Sequence, residues 1–338
     1  MTMPALAASV RDVLFLVCAL LATSAGTTAQ TNLQLPPAVD GKIDVEVSFF
    51  LIDVLKVLDA EQTIEADIFV RTAWMDPRLA DTTQEGPRWV ELDSIWYPAL
   101  EPVSPRRISS LFPDLAMVEP DGMVSLTSRL AGTFGAPTRL ANFPFDRHDV
   151  RFEFIFTRSL GFEIVAKEGP IVATSESLSI PDWEISGGTL DLTPIRLAEQ
   201  IPELSAATYV IRAERSASYY ITKVILPLVV IVMMSWTVFW APPPQIAIQF
   251  GFAATSILTV IAYRFALASQ MPRVPYTTRL DAFLNGAFVM AFLALVEVVV
   301  TAQLLYREAT DTALRVDRIC RVGFPLALGG LAIYSFAI

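Results

Sequence analysis

An all-β sandwich followed by an all-α bundle of four membrane-crossing helices is the fold class this 338-residue chain predicts. Apolar and polar residues alternate in four stretches before residue 218, as half-buried strands require. Four nearly uncharged blocks follow, each close to the ~20 residues a helix needs to cross hydrocarbon. Charge and apolar character are therefore segregated, which reconciles a mean hydropathy of +0.49 with a net charge of -10.

Residues 1–30 carry an early Arg11, an apolar stretch from Val13 to Leu21 and small residues from Ser24 to Gly26. This pattern predicts a cleaved secretory signal, because the apolar stretch falls short of the ~20 residues of a span. Of the two cysteines, Cys18 lies in that segment and Cys320 in the last apolar block. The exported part is expected to hold without a disulfide, by core packing alone.

Residues 31–218 hold 29 acidic and 16 basic residues and read as an acidic domain outside the membrane. In "IDVEVSFFLID", Val45, Val47, Phe49 and Leu51 share one face. Ile64, Ala66, Ile68 and Val70 repeat the rhythm, as do Val150, Phe152, Phe154 and Phe156, and then Tyr209, Ile211 and Ala213. Pro, Gly and Asp turns such as "EPDGM" separate them, which points to an antiparallel sandwich.

Residues 219–338 are read as the membrane domain, with helices over 219–240, 246–269, 282–305 and 319–338. A secreted amino terminus places residues 306–318, with Arg307, Arg315 and Arg318, on the cytoplasmic side. In the second block Gly251, Thr255, Leu258, Ala262, Phe265 and Ser269 recur at spacings of four and three, forming one stripe. Several copies around an axis would turn Leu258 and Phe265 into apolar rings able to close a pore by dewetting. The same stripe also suits ordinary helix packing through small residues. Arg264 and Glu297 lie inside spans, where an ionisable group must face protein, water or the interface.

The chain has no nucleophile elbow, phosphate loop or His/Cys metal constellation, so neither an enzyme nor a metal or cofactor site is expected. A periplasmic binding or sensor module on a passive four-helix anchor is the alternative to a channel.

"FPFDRHDVRFEF", "RSASYYITKVILPLVVIVMMSWTVFW" and "QMPRVPYTT", with "SIWYPALE" and "RICRVGFPLALG", stand in the order found in prokaryotic pentameric ligand-gated ion channels. From about Asp44 onward the chain resembles these bacterial homologues of Cys-loop receptors. The resemblance implies an immunoglobulin-like ten-stranded extracellular sandwich on four helices per subunit, with five subunits around a pore lined by the second helix. The partners implied are a homopentamer, membrane lipid, permeating cations and a small-molecule agonist or protons, with no nucleic acid. The location implied is the bacterial inner membrane, with the amino-terminal domain in the periplasm.

By position, Gly251, Thr255, Leu258, Ala262, Phe265 and Ser269 match the pore lining, with Leu258 and Phe265 as gates and Gln245 and Gln249 at the inner mouth. The loop Phe143, Pro144, Phe145 and Asp146 matches the segment that rests on the membrane domain. Asp59 and Arg215 match its charge partners, and Pro272, Pro275 and Tyr276 match the facing loop. Trp96, Tyr97, Glu101 and Phe156 are the candidate ligand pocket. Leu197 and Leu204 stand where amine-gated bacterial relatives carry aromatics, so both an amine and protons are kept as stimuli. The single histidine, His148, is expected on a solvent-facing strand position. The acidic domain favours cations at the pore mouth through its summed field.

Overall fold

The computed structural model describes residues 32–37, 41–158, 163–199, 202–241, 245–268 and 274–336. The predicted signal, Ser269 and Pro272 lie outside them.

Eleven strands form among the described residues, one more than the ten that the resemblance implies: β1 Lys42–Leu58, β2 Thr63–Met75, β3 Arg88–Glu91, β4 Leu100–Pro102, β5 Pro105–Ser110, β6 Leu115–Val118, β7 Met123–Gly135, β8 Arg147–Phe156, β9 Glu163–Thr174, β10 Trp183–Asp191 and β11 Ala206–Arg215. One sheet runs β3-β6-β7-β2-β1-β9 with β5 also on β7, and the other runs β10-β11-β8-β4. All pairings are antiparallel except β1 with β9.

The predicted inward faces meet between the sheets. Val45, Val47, Phe49 and Leu51 of β1 are buried with Ile64, Ala66 and Ile68 of β2, and with Phe152, Phe154 and Phe156 of β8. Phe49 anchors the seam, with its ring 5.1 Å from Phe154 and stacked at 5.4 Å on Tyr209 of β11. A bulge between Leu51 and Asp53 resets the alternation, so Val54 returns to the core. Gly132 of β7 is required where β5 crosses, because a Cβ there would collide with the Arg107 carbonyl oxygen and its φ is +154°.

Four helices are long and apolar enough to cross a membrane: α1 Ser218–Trp240, α2 Ile246–Ala268, α3 Arg279–Tyr306 and α4 Thr310–Phe336. α3 starts three residues before the apolar block does, because Thr278 and Asp281 form a capping box. α4 starts at Thr310 rather than Ile319, since its first turns carry polar residues that a hydropathy reading leaves out but a helix accommodates.

Prolines inside α1 and α4 each release a carbonyl that a neighbouring aromatic takes up. Pro227 cannot bond the Lys223 carbonyl, the helix widens to π-helical over Ile221–Ile225, and the Tyr263 hydroxyl of α2 donates to Lys223 O at 3.2 Å and Val224 O at 2.9 Å. Pro325 leaves the Arg321 carbonyl free, and the Trp236 indole N–H of α1 donates to it at 3.0 Å. Both bonds fasten one helix to another at a point the helix itself cannot satisfy.

Candidate pore helix and coupling junction

α2 has one packed face and one bare one. Gln249, Ala253, Ser256, Val260 and Leu267 are buried against the other helices, while Gly251, Thr255, Leu258, Ala262 and Phe265 are exposed. Leu258 is 67% and Phe265 77% exposed, a high value for large apolar side chains. They stand seven residues apart, two helical turns or about 10 Å. The predicted stripe is thus a continuous uncovered face.

The inner end of α2 departs from expectation. Gln245 is exposed, but Gln249 is buried and donates its amide N–H to Ala241 O at 3.0 Å. It stands one turn before Ala253 and two before Ser256 on the packed face, so it ties two helices together and does not reach the bare face. Arg264 avoids the apolar surroundings by lying over the Phe288 ring of α3, 5.9 Å from its centroid.

Where the sandwich meets the helices, the loop before β8 plugs into the bundle. Leu140 and Phe143 are buried in the helical core with Val224, Leu280 and Leu284, and the Phe143 ring lies 4.7 Å from Tyr220. The Phe143 carbonyl accepts from Leu280 N at 3.2 Å, and Leu140 N–H donates to the Tyr276 hydroxyl at 2.9 Å. Phe145 packs edge-on against Phe336 at 5.5 Å, and Pro144 is buried. Pro275 is exposed in the facing loop.

Directly above sits a compact charge cluster. Arg215 Nε donates to Asp146 Oδ1 at 2.8 Å, and its Nη2 reaches Asp146 Oδ2 at 3.1 Å and both Asp59 oxygens at 2.9 Å. The guanidinium is held between the rings of Trp183, at 4.1 Å, and Phe143, at 4.9 Å. Asp146 is 1% exposed, and the Arg215 side chain 3%. Burial pushes the Asp59 carboxyl above its ordinary value, outweighing the attraction of Arg215. Burial acts on Asp146 in the same sense, but hydrogen bonds from His148 and Arg215 overcome it and hold that carboxyl below its ordinary value.

His148 is not solvent-facing. Its Nε2 lies 2.7 Å from Asp146 Oδ2 and its ring packs near Trp183 at 5.9 Å, making both residues members of the cluster that sequence reading missed. One signal was available: His148 stands two residues from Asp146, the spacing that puts side chains on the same side of an extended chain.

The candidate ligand pocket is only partly brought together. Phe156 is fully buried on the inner face of β8, in phase with Phe152 and Phe154, and is unavailable at the surface. The Trp96 ring meets Trp74 at 6.0 Å in the core, yet the residue borders a cavity of about 490 Å³ with Gln34, Asp93, Thr157 and Arg158. Tyr97 is half-buried beneath the Arg158 guanidinium, 4.2 Å from its ring centroid, and Glu101 accepts from Thr157 Oγ1 at 3.2 Å.

Two family models match the chain, the neurotransmitter-gated ion-channel ligand binding domain over residues 29–166 and the neurotransmitter-gated ion-channel transmembrane region over residues 224–316. The chain belongs to the neurotransmitter-gated ion-channel family. It is a multi-pass membrane protein of a family of gated ion channels. A relative called "Proton-gated ion channel" from Gloeobacter violaceus is 25% identical over 86% of this chain and 82% of its own length. The "Gamma-aminobutyric acid receptor subunit alpha-6" of Gallus gallus is 24% identical over 78% of this chain and 59% of its own length. The first family model falls on the sandwich as far as the start of β9, and the second runs from α1 into the first turns of α4.

Proposed function

We propose that the chain assembles as a homopentamer in a bacterial inner membrane, sandwich in the periplasm, with five α2 helices lining a cation-selective pore gated at Leu258 and Phe265. The bare stripe on α2 carries this reading: large apolar side chains stay uncovered in one subunit while the opposite face is packed, which suits a face that five copies turn toward a common axis. Lipid would cover the bare apolar faces of the other helices, at Val230, Leu293 and Leu326, but a passive anchor gives no reason for a stripe that also holds Gly251 and Thr255. Gln245 is the polar residue at the inner mouth, and the acidic sandwich concentrates cations above the pore.

Protons are the proposed stimulus. Asp59 takes up a proton more readily than an ordinary carboxyl, while Asp146 keeps Arg215 paired, so acidification alters the cluster that rests on the Phe143 loop. Arg158 already covers Tyr97, the aromatic that would hold an ammonium ligand, which argues against an amine. A similar protein is itself named a proton-gated ion channel.

Planar-bilayer recording of the purified chain tests the proposal, stepping external pH from about 9 to about 4, the range in which shifted carboxyl groups titrate. The expected result is a current that rises on acidification and reverses at the cation potential. Silence at every pH, from protein that runs as a monomer, favours the passive anchor.

A further inference from the structure

Two acids meet near the inner ends of α3 and α4, far along the helices from the coupling junction. Glu297 and Thr301 stand one turn apart on α3 and share a face, and Asp317 reaches the same point from α4. The Thr301 hydroxyl donates to Glu297 Oε1 at 3.0 Å and lies 3.5 Å from Asp317 Oδ1. Asp317 is 1% exposed and Thr301 is fully buried. Asp317 Oδ2 is buried with no hydrogen-bond partner among the described residues.

Among the described residues no ion pair joins a cation to Glu297 or Asp317. Arg321, one turn on along α4, gives its Nε–H to Phe239 O at 2.7 Å and lies over the Trp240 ring at 4.9 Å. Arg315 and Arg318 are exposed, and Cys320 is half-buried on the same helix. From α1 the charged side chain is Lys223, near its outer end with Tyr219 and Tyr220. From α2 it is Arg264, placed over Phe288 more than two turns from Glu297 along α3.

Two ionised carboxylates converging on one hydroxyl within an apolar seam repel each other, and burial raises the cost of each charge. A single proton between them replaces repulsion with a hydrogen bond and reduces the charge that the uncompensated Asp317 oxygen must carry. We propose that half-buried Glu297 forms, with the buried Thr301 and Asp317, a proton-binding site that fastens α4 to α3 with one shared proton at neutral pH. The folded seam then binds one proton more than the unfolded chain, whose carboxylates are ionised at that pH. Its stabilisation is present at neutral pH and lost as pH rises through the point of release. This site does not depend on α2 lining a pore.

The full-length protein in lipid nanodiscs provides the test, by infrared spectroscopy of the protonated-carboxyl carbonyl stretch and by thermal unfolding from about pH 7 to about pH 10. Wild type is expected to show the carboxyl band at neutral pH and to lose the band and thermal stability in one alkaline step. Glu297→Gln and Asp317→Asn should each abolish both band change and step, and Thr301→Val, which removes a hydroxyl that donates to the ionised Glu297, should move the step to higher pH. Absence of the band in wild type at neutral pH overturns the proposal, whatever the variants do. So does an alkaline step that persists in both single variants, or one that moves with sodium or calcium at constant ionic strength, which would make the occupant a metal cation.

Discussion

Replacing Arg215 by Met tests the junction most directly. The substitution keeps the length of the apolar stem and removes a guanidinium that makes hydrogen bonds to two carboxylates and lies between two aromatic rings. Asp146 and Asp59 would remain, Asp146 fully buried and Asp59 largely so, with only His148 left beside Asp146. Removing one partner of a buried ion pair costs about 3–5 kcal/mol, and the lost ring contacts place the expected value toward the upper end. That is roughly two to nearly four powers of ten in the folding equilibrium at neutral pH. The cost should shrink as pH falls, because protonating Asp59 and then Asp146 removes the uncompensated charge. Thermal unfolding of the detergent-solubilised protein, followed by tryptophan fluorescence with Trp183 adjacent to the change, measures it. Neutralising both acids in the same chain, as Asp59→Asn with Asp146→Asn, should recover most of the loss. A single Arg215→Met variant within about 1 kcal/mol of wild type at neutral pH would refute the reasoning, since that is the worth of an exposed pair.

The remaining predictions concern the gate, the stimulus and the helix contacts. Leu258→Ser should wet the constriction, so that the channel opens at a stimulus weaker by on the order of tenfold; an unchanged dose-response would sink the gate assignment. Asp59→Asn should remove the first protonation step of the cluster. In wild type, the raised Asp59 makes the folded state bind that proton more tightly than the unfolded chain does, so its contribution to stability is present at low pH and lost as pH rises through the folded value. Asp146 contributes in the opposite sense, above the unfolded value of about 3.9, and loses that contribution as pH falls through its lowered folded value. A stability profile from about pH 7 to about pH 3 in which wild type and Asp59→Asn coincide would contradict this division. Tyr263→Phe and Trp236→Phe should each cost about 1–3 kcal/mol, because each leaves a proline-released carbonyl, Lys223 O or Arg321 O, without its donor; thermal shifts no larger than those of an exposed control substitution would show that the carbonyls find other partners.

Much of the architecture was legible because it is written in local periods. A strand repeats every two residues and a helix about every 3.6, so the inward faces of β1, β2, β8 and β11 and the membership of the α2 stripe follow from spacing, while its being left bare does not. Hydropathy likewise marked four spans, though it missed the polar first turns of α4, whose helicity owes nothing to apolar content. The junction was named through a family resemblance and not through periodicity: Asp59 and Arg215 lie 156 residues apart and Asp146 and Arg215 lie 69 apart, and no local rule joins them.

What the sequence by itself determined is which residues share a face of one element, since backbone geometry alone sets that. Only the tertiary structure decided what each face meets. It turned Gln249 toward the Ala241 carbonyl, sent Phe156 into the core, drew His148 and Trp183 around Asp146 and Arg215, and set Asp317 beside Glu297. Such meetings depend on how whole sheets and helices dock, where burial of apolar area outweighs any single polar preference, and the polar groups then find partners among whatever docking brings within reach.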